Sequence, residues 1–420
     1  MTTHDETVRF AGPAPTPAAA AGTTTTQRVP VSDLDPFSPK FLGDPYPAHE
    51  ALREAGPVVR LDRYGIWASA RHGPVRAALL DPAAFCSSAG VGLSDFRREA
   101  PWRPPSLLLE ADPPDHTRAR RVVAGVLSAA AMSRLSEGFV AAADELVARL
   151  ATGEPFDAMA DLAVSYPLQV FSDAVGLPDA GRENLVRYAR MVFNTFGPRN
   201  ELFTTAVAAA GETREWIMEH CRSENLRPGG LGAEIHARAA AEGYPADERA
   251  MLVRSFLTAG VDTTLHGLGN ALWCLAGHPA QYAALRADPG LARAAFEEVL
   301  RFEAPVQTFF RTTTRDVELD GVAVPAGEKI LLLLGAANRD PRRWPDAGTF
   351  DICRRATGHV GFGFGIHACV GMAMARLEGE AVLAALARRA SAIELAGRPR
   401  RMLNNTLRGL ESLPLRLVPA

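Results

Sequence analysis

Leucine, alanine and other apolar residues recur along most of this chain at spacings of three and four, the period of a helix that buries one face. The pattern predicts helices over about 116–152, 157–174, 180–196, 203–222, 246–277, 279–287 and 290–302. A further apolar stripe, Met372, Leu377, Val382, Leu383 and Leu386, predicts a helix that begins after Val370. Strand signals are fewer. Aromatic and β-branched residues within Val58–Ala70 bracket a turn at Asp62–Gly65. A second group spans Thr308–Leu334, with a hairpin turn at Asp320–Gly321 and a buried strand at Ile330–Leu334. Residues 338–360 carry neither period, and a long irregular stretch inside a compact domain is usually functional. The expected class is mainly α with small sheets.

The chain has 420 residues, 47% hydrophobic and 22% charged, ample for a large core. A net charge of −3, with no basic cluster interleaved with aromatics, leaves no footprint for nucleic acid. No apolar run reaches the roughly 18 residues that a spanning helix needs; Ile330–Ala337 falls well short, so no membrane partner is expected. Five scattered cysteines argue against a disulfide framework and for a reducing, cytoplasmic location. Residues 1–30, rich in Ala, Pro and Thr, are expected to be a disordered tail. With no linker or repeat after them, residues 31–420 are expected to form a single domain.

The segment Phe362–Gly363–Phe364–Gly365–Ile366–His367–Ala368–Cys369–Val370–Gly371 places one cysteine in a glycine-rich loop just before a helix. Gly363, Gly365 and Gly371 remove side chains where a large flat group could lie against the backbone. A helix N-terminus favours a thiolate, and a thiolate there is a ready axial ligand for haem iron. On these residues alone two other readings stay open. One is a turn with a buried thiol. The other is a zinc site using His367 and Cys369, which would need two further ligands that no CxxC or HxxxH spacing supplies.

Three other constellations bear on the choice. Glu298 and Arg301 share a helix face, either as an exposed pair or, given Phe296, Val299 and Leu300 beside them, as a buried one that needs a partner from 339–355. Asp262–Thr263–Thr264, after Ala259–Gly260, interrupts an apolar helix. It reads either as a back-bonded kink or as a widened groove holding an acid and a hydroxyl. His116, Arg120, Arg311 and His367 could neutralise buried haem propionates, though residues of these types taken singly are more often on the surface.

In order and interval these motifs, with Asp112–Pro113–Pro114–Asp115–His116, resemble the bacterial cytochromes P450, the haem–thiolate monooxygenases, over roughly residues 31–420. The resemblance implies a helical triangular prism with small β-sheets. It implies haem b (iron protoporphyrin IX) with Cys369 as axial thiolate and metal ligand, in contact with Ala259, Phe362 and Gly371 as well as His116, Arg120, Arg311 and His367. It makes Asp262 and Thr263 the acid–alcohol pair that delivers protons to bound dioxygen. Electrons would come from NAD(P)H through a [2Fe-2S] ferredoxin and its reductase, and the family's habit is monomeric.

Phe85–Cys86–Ser87–Ser88, Gly90–Val91–Gly92–Leu93, Pro101–Trp102–Arg103–Pro104–Pro105–Ser106, Phe193–Asn194–Thr195–Phe196 and Asn404–Asn405–Thr406–Leu407 are similar to the subgroup that oxidises para-substituted benzoic acids. That likeness implies that Arg103, Ser106, Arg254 and Ser255 hold a carboxylate, and that Thr258 stands where the subgroup has serine. Phe193, Phe196, Val306, Phe309, Leu109 and Leu407 would enclose the ring. The implied reactions are O-demethylation of 4-methoxybenzoate and hydroxylation of 4-alkylbenzoates. The alternatives are a family member with a terpenoid or macrolide substrate, and a non-catalytic haem–thiolate binding protein.

Overall fold

A computed structural model describes residues 29–420, so all but the last two residues of the expected 1–30 tail lie outside the described residues. The predicted helices are present, the longer ones divided. The stretch 116–152 breaks into Asp115–Val126 and Ala129–Leu150, because Ser128 caps the second helix by accepting from the Ala131 N–H. The stretch 246–277 divides at Val261 into Ala246–Gly260 and Asp262–Gly277. The second of these is buried on nearly every side, which puts it at the centre of the helical layer.

The two strand groups join in one six-stranded sheet, ordered Val31–Ser32, Val59–Leu61, Ile66–Ser69, Lys329–Leu333, Thr308–Thr313 and Phe85–Cys86. The hairpin predicted at Asp320–Gly321 links Val317–Leu319 to Val322–Val324, with φ of 51° and 82° at its two turn residues. Those left-handed values suit Asp and Gly. Helices at Tyr46–Ala55, His72–Leu80 and Leu231–Ala241 were not predicted, and neither were the C-terminal strands. Ala390–Leu395 pairs with Pro414–Pro419, but a register shift between Ala390 and Ala392 disrupts the alternation that would have marked it.

Residues 338–364 contain no helix or strand. The Glu298–Arg301 pair holds this segment in place. Both side chains are fully buried at 2.7 Å, which excludes the exposed reading. Arg301 also donates to the carbonyls of Asn338, Ala347 and Thr349, and Arg354 supplies the third partner by donating to Glu298 at 3.2 Å. Among the described residues no helix is long and apolar enough to cross a membrane.

Candidate functional site

The cysteine loop and the broken central helix face each other across one internal cavity. Between residues 361 and 372 no side chain is buried, although the loop is surrounded by structure, because that stretch faces the cavity. The Cys369 N–H donates to the Phe362 carbonyl at 2.7 Å, closing the loop. Gly363 and Gly365 take φ of 70° and 68°. A Cβ on Gly365 would stand 2.4 Å from the Leu79 carbonyl oxygen, so packing against its neighbour, rather than clearance for a flat group, demands that glycine. At Gly371 the nearest atom to a built Cβ is Cys369 Sγ at 3.9 Å, and the space there is open.

The thiol departs from expectation. Burial pushes Cys369 up and outweighs the opposing Gly371 N–H, Arg120 and Arg376. The helix begins only at Met372, so its N-terminus does not ionise the sulfur unaided. A thiolate here depends on a cation set against it. The zinc alternative finds no support: among the described residues no cluster of three His, Cys, Asp or Glu side chains could hold a metal.

The charges at the cavity's edge show what kind of group fits. Arg311 is buried, its guanidinium pushed down to about 10 by that burial, and it donates to the Phe310 carbonyl at 2.8 Å. Arg120 donates to the Ala368 carbonyl at 2.5 Å. His367 lies 3.1 Å from Ser87 Oγ, and burial, then Arg311 and His116, hold its imidazole down at about 3. His116 sits one layer back, its ring 4.2 Å from that of His367 and both its nitrogens unpartnered. None of the four pairs with a carboxylate among the described residues. A flat group that meets a thiolate at its centre and carries two carboxylates at one edge matches this donor set, and haem is such a group.

Opposite the cysteine, Ala259, Gly260, Thr263 and Thr264 line the cavity. Thr263 Oγ1 donates to the Ala259 carbonyl at 2.9 Å and Thr264 Oγ1 to that of Gly260 at 3.3 Å, so kink and groove occur together. Asp262 does not line the cavity. Its side chain is fully buried behind the helix, 3.4 Å from His266 Nε2. Gly260 is obligatory, because a Cβ there would lie 2.2 Å from the Phe171 ring.

The far end is cationic and aromatic. Arg103, Ser106, Leu109, Phe193, Phe196, Arg254, Ser255, Thr258, Val306 and Phe309 all line it, and Leu407 stands behind Val306, bridged to it. Phe196 meets Phe193 and Phe309 edge-on at 5.7 and 5.9 Å. Ser106 Oγ lies 2.9 Å from Ser255 Oγ, and Thr258 Oγ1 donates to the Arg254 carbonyl at 2.7 Å. Buried Arg254 donates to the carbonyls of Pro104 and Pro105. Arg103 is not free: Glu110 accepts from its Nη1 and Nη2 at 2.8 and 3.1 Å. Two guanidiniums and one carboxylate leave a single positive charge in this pocket.

Sequence reasoning passed over Glu110, His266 and Glu378. Glu378 lines the cavity with both oxygens unpartnered, and burial pushes its carboxyl well up. Glu110 ends the apolar run Leu107–Leu109, and Glu378 lies among the charged residues Arg376 and Glu380, where nothing in the sequence sets it apart.

A helical prism with small sheets at one side, a thiol in a glycine-rich cradle and a broken helix facing it define the haem–thiolate class. The family model for cytochrome P450 matches residues 290–412. The chain is 57% identical over 408 residues to cytochrome P450 CYP199A2 of Rhodopseudomonas palustris, covering 96% of this chain and 99% of that relative. It is 34% identical over 410 residues to cytochrome P450 107B1 of Saccharopolyspora erythraea, covering 93% and 99%. Among solved structures, cytochrome P450 CREJ in complex with (4-ethylphenyl) dihydrogen phosphate superposes with a TM-score of 0.81 at 26% identity, covering 91% of this chain and 98% of that one. CYP109Q5 from Chondromyces apiculatus gives 0.77 at 31% identity, covering 92% and 98%. The chain belongs to the cytochrome P450 family. It is a monooxygenase of that family, with the haem–thiolate cofactor and the use of O2 and a redox partner that membership brings.

Proposed function

We propose that this cytochrome P450 inserts one oxygen atom of O2 into the para substituent of a benzoic acid, demethylating 4-methoxybenzoate and hydroxylating 4-alkylbenzoates. The observation that carries the reading is the single buried positive charge, beside two serine hydroxyls, at the end of the cavity away from Cys369. A monoanion bound there sets an aromatic ring among Phe193, Phe196 and Phe309 and directs its para group toward the thiol end. Fixing both ends of a rigid ring gives one carbon the geometry for attack. The complex of CREJ with a para-alkylaryl phosphate supports this reading, as an aryl anion accommodated by the same fold.

In this reading Cys369 would hold the haem iron through its thiolate, and His116, Arg120, Arg311 and His367 would hold the propionates. Ala259, Phe362 and Gly371 line the cavity and would lie against the group. When bound, the haem supplies oxygen activation, with the thiolate favouring cleavage of the O–O bond. Thr263 holds a hydroxyl at the groove and Asp262 supplies it with protons from behind the helix. Two electrons per turnover arrive from NAD(P)H through a [2Fe-2S] ferredoxin and its reductase, in the cytoplasm. Hydroxylation of a methoxy carbon leaves a hemiacetal, which collapses to 4-hydroxybenzoate and formaldehyde.

The test is the substrate-induced spin-state change of the holoenzyme. 4-Methoxybenzoate should shift the ferric Soret band and its methyl ester should not. Equal responses to acid and ester overturn the carboxylate clamp.

A further inference from the structure

Three residues of the central helix, Asp262, His266 and Asn270, stand at intervals of four and are fully exposed to neither water nor the cavity: each has 0% of its surface accessible. Intervals of four place them along one face of the helix. Both oxygens of Asp262, both ring nitrogens of His266 and Oδ1 of Asn270 lack hydrogen-bond partners. Leaving so many polar atoms unsatisfied in a core is costly, and apolar residues would fill the space more stably. Within the row the groups approach one another: His266 Nε2 lies 3.4 Å from Asp262 Oδ1.

The ring has also been given room. A Cβ on Gly409 would stand 2.1 Å from His266 Nδ1, so the neighbouring strand Gly409–Ser412 must begin with glycine for the imidazole to fit. At the other end Asn270 Nδ2 donates to the Arg408 carbonyl at 3.1 Å. Arg408 in turn donates to Glu303 and to the Tyr46 hydroxyl at 2.9 and 3.1 Å. A polar row thus runs from behind the groove to a charged cluster on another part of the chain.

We propose that His266 is a positioning residue for the oxygenation reaction, reloading Asp262 with protons that enter along the Asn270 side of the helix. The proposal rests on the reading of Asp262 and Thr263 as the proton-delivering pair. Each turnover consumes two protons with two electrons and one O2, releasing one water. A proton leaves the Asp262 carboxyl for the Thr263 hydroxyl. As His266 Nδ1 gains a proton entering along the Asn270 side, Nε2 passes its own to Asp262 Oδ1, and the ring resets for the next turnover by losing the Nδ1 proton and regaining one at Nε2. No bond other than these O–H and N–H bonds forms or breaks.

The experiment uses the holoenzyme with an electron-donor system and compares Asp262→Asn, His266→Gln and His266→Phe. Glutamine keeps a hydrogen-bonding side chain of similar reach but does not titrate. The expected result is that His266→Gln matches the parent in melting temperature and in carbonyl-adduct absorbance. Its product per NAD(P)H should fall at least threefold, and its solvent deuterium isotope effect on product formation should rise at least twofold. In the diamagnetic reduced carbonyl adduct, the imidazole ¹⁵N signal missing from His266→Gln should move in Asp262→Asn. Full recovery of coupling in His266→Gln after a loss in His266→Phe would mean a space-filling role and overturns the proposal, as does an unmoved ¹⁵N signal. If Asp262→Asn itself couples normally, the reading of the Asp262–Thr263 pair fails. If Asp262→Asn is impaired and His266→Gln is not, that reading survives and the role of His266 alone is refuted.

Discussion

Glu110→Gln tests whether the cavity's arginine end is tuned by its own carboxylate. Glu110 accepts from Arg103 at 2.8 and 3.1 Å and from the Ser106 N–H at 2.8 Å. The two side chains are 9% and 1% exposed, so neither charge is relieved by water. The amide keeps the shape and loses the charge. Removing one partner of a buried pair costs about 3–5 kcal/mol, and urea unfolding of the substrate-free holoenzyme, followed by circular dichroism and Soret absorbance together, should show a loss of that order. Binding should move the other way. A negative charge on the order of 7 Å from a bound carboxylate, at an effective dielectric constant of about 20, opposes it by ~2 kcal/mol. Removing that charge should tighten 4-methoxybenzoate about 30-fold. Acid at about 1,000 times its dissociation constant then restores ~4 kcal/mol of stability, and the methyl ester restores none. A variant as stable as the parent that binds the acid no more tightly refutes the reasoning.

Other consequences follow from packing and charge elsewhere. Burial raises the Glu297 carboxyl, but hydrogen bonds from His359 and Arg376 outweigh it and hold the group at about 2, against an ordinary 4.5. Its folded value is depressed, so the stabilisation is complete above pH 4.5 and is lost as pH falls toward about 2. It amounts to about 3 kcal/mol, and Glu297→Gln should flatten that part of an acid-unfolding curve; an unaltered slope refutes the assignment. Gly260→Ala drives a methyl group into the Phe171 ring, 2.2 Å from the built Cβ, and should cost about 1–3 kcal/mol. An unchanged melting temperature contradicts it. Gly365→Ala combines a left-handed φ of 68° with a 2.4 Å approach to the Leu79 oxygen. Haem incorporation, read from the reduced carbonyl adduct, should fall, and full incorporation counts against a rigid loop.

Some features were readable because their chemistry is local. The Asp320–Gly321 hairpin announces itself through two residues that tolerate the left-handed φ they adopt. Helices such as Ala129–Leu150 and Ala292–Phe302 show their period because one face of each is buried for three turns or more. Ala390–Leu395 was hidden, since the register shift at Ala390–Ala392 breaks its alternation, whereas Pro414–Pro419 alternates and was passed over. The division of the long helix at Val261 was visible only as a cluster of small and polar residues, compatible with either a kink or a groove.

The site itself was legible as residue types and not as directions. Asp262 and Thr263 are adjacent in the chain, yet only Thr263 reaches the cavity wall, because successive helical positions differ by about 100°. Arg103 is the same letter whether it faces a ligand alone or is already held by Glu110, seven residues on in a loop that has no period to reveal the pairing. That pairing decides the cavity's chemistry. Two free guanidiniums would favour a dianion, whereas one neutralised and one remaining leave a charge that a single carboxylate balances. The specificity proposed for this enzyme therefore rests on an acid that acts on the ligand through Arg103 and Ser106.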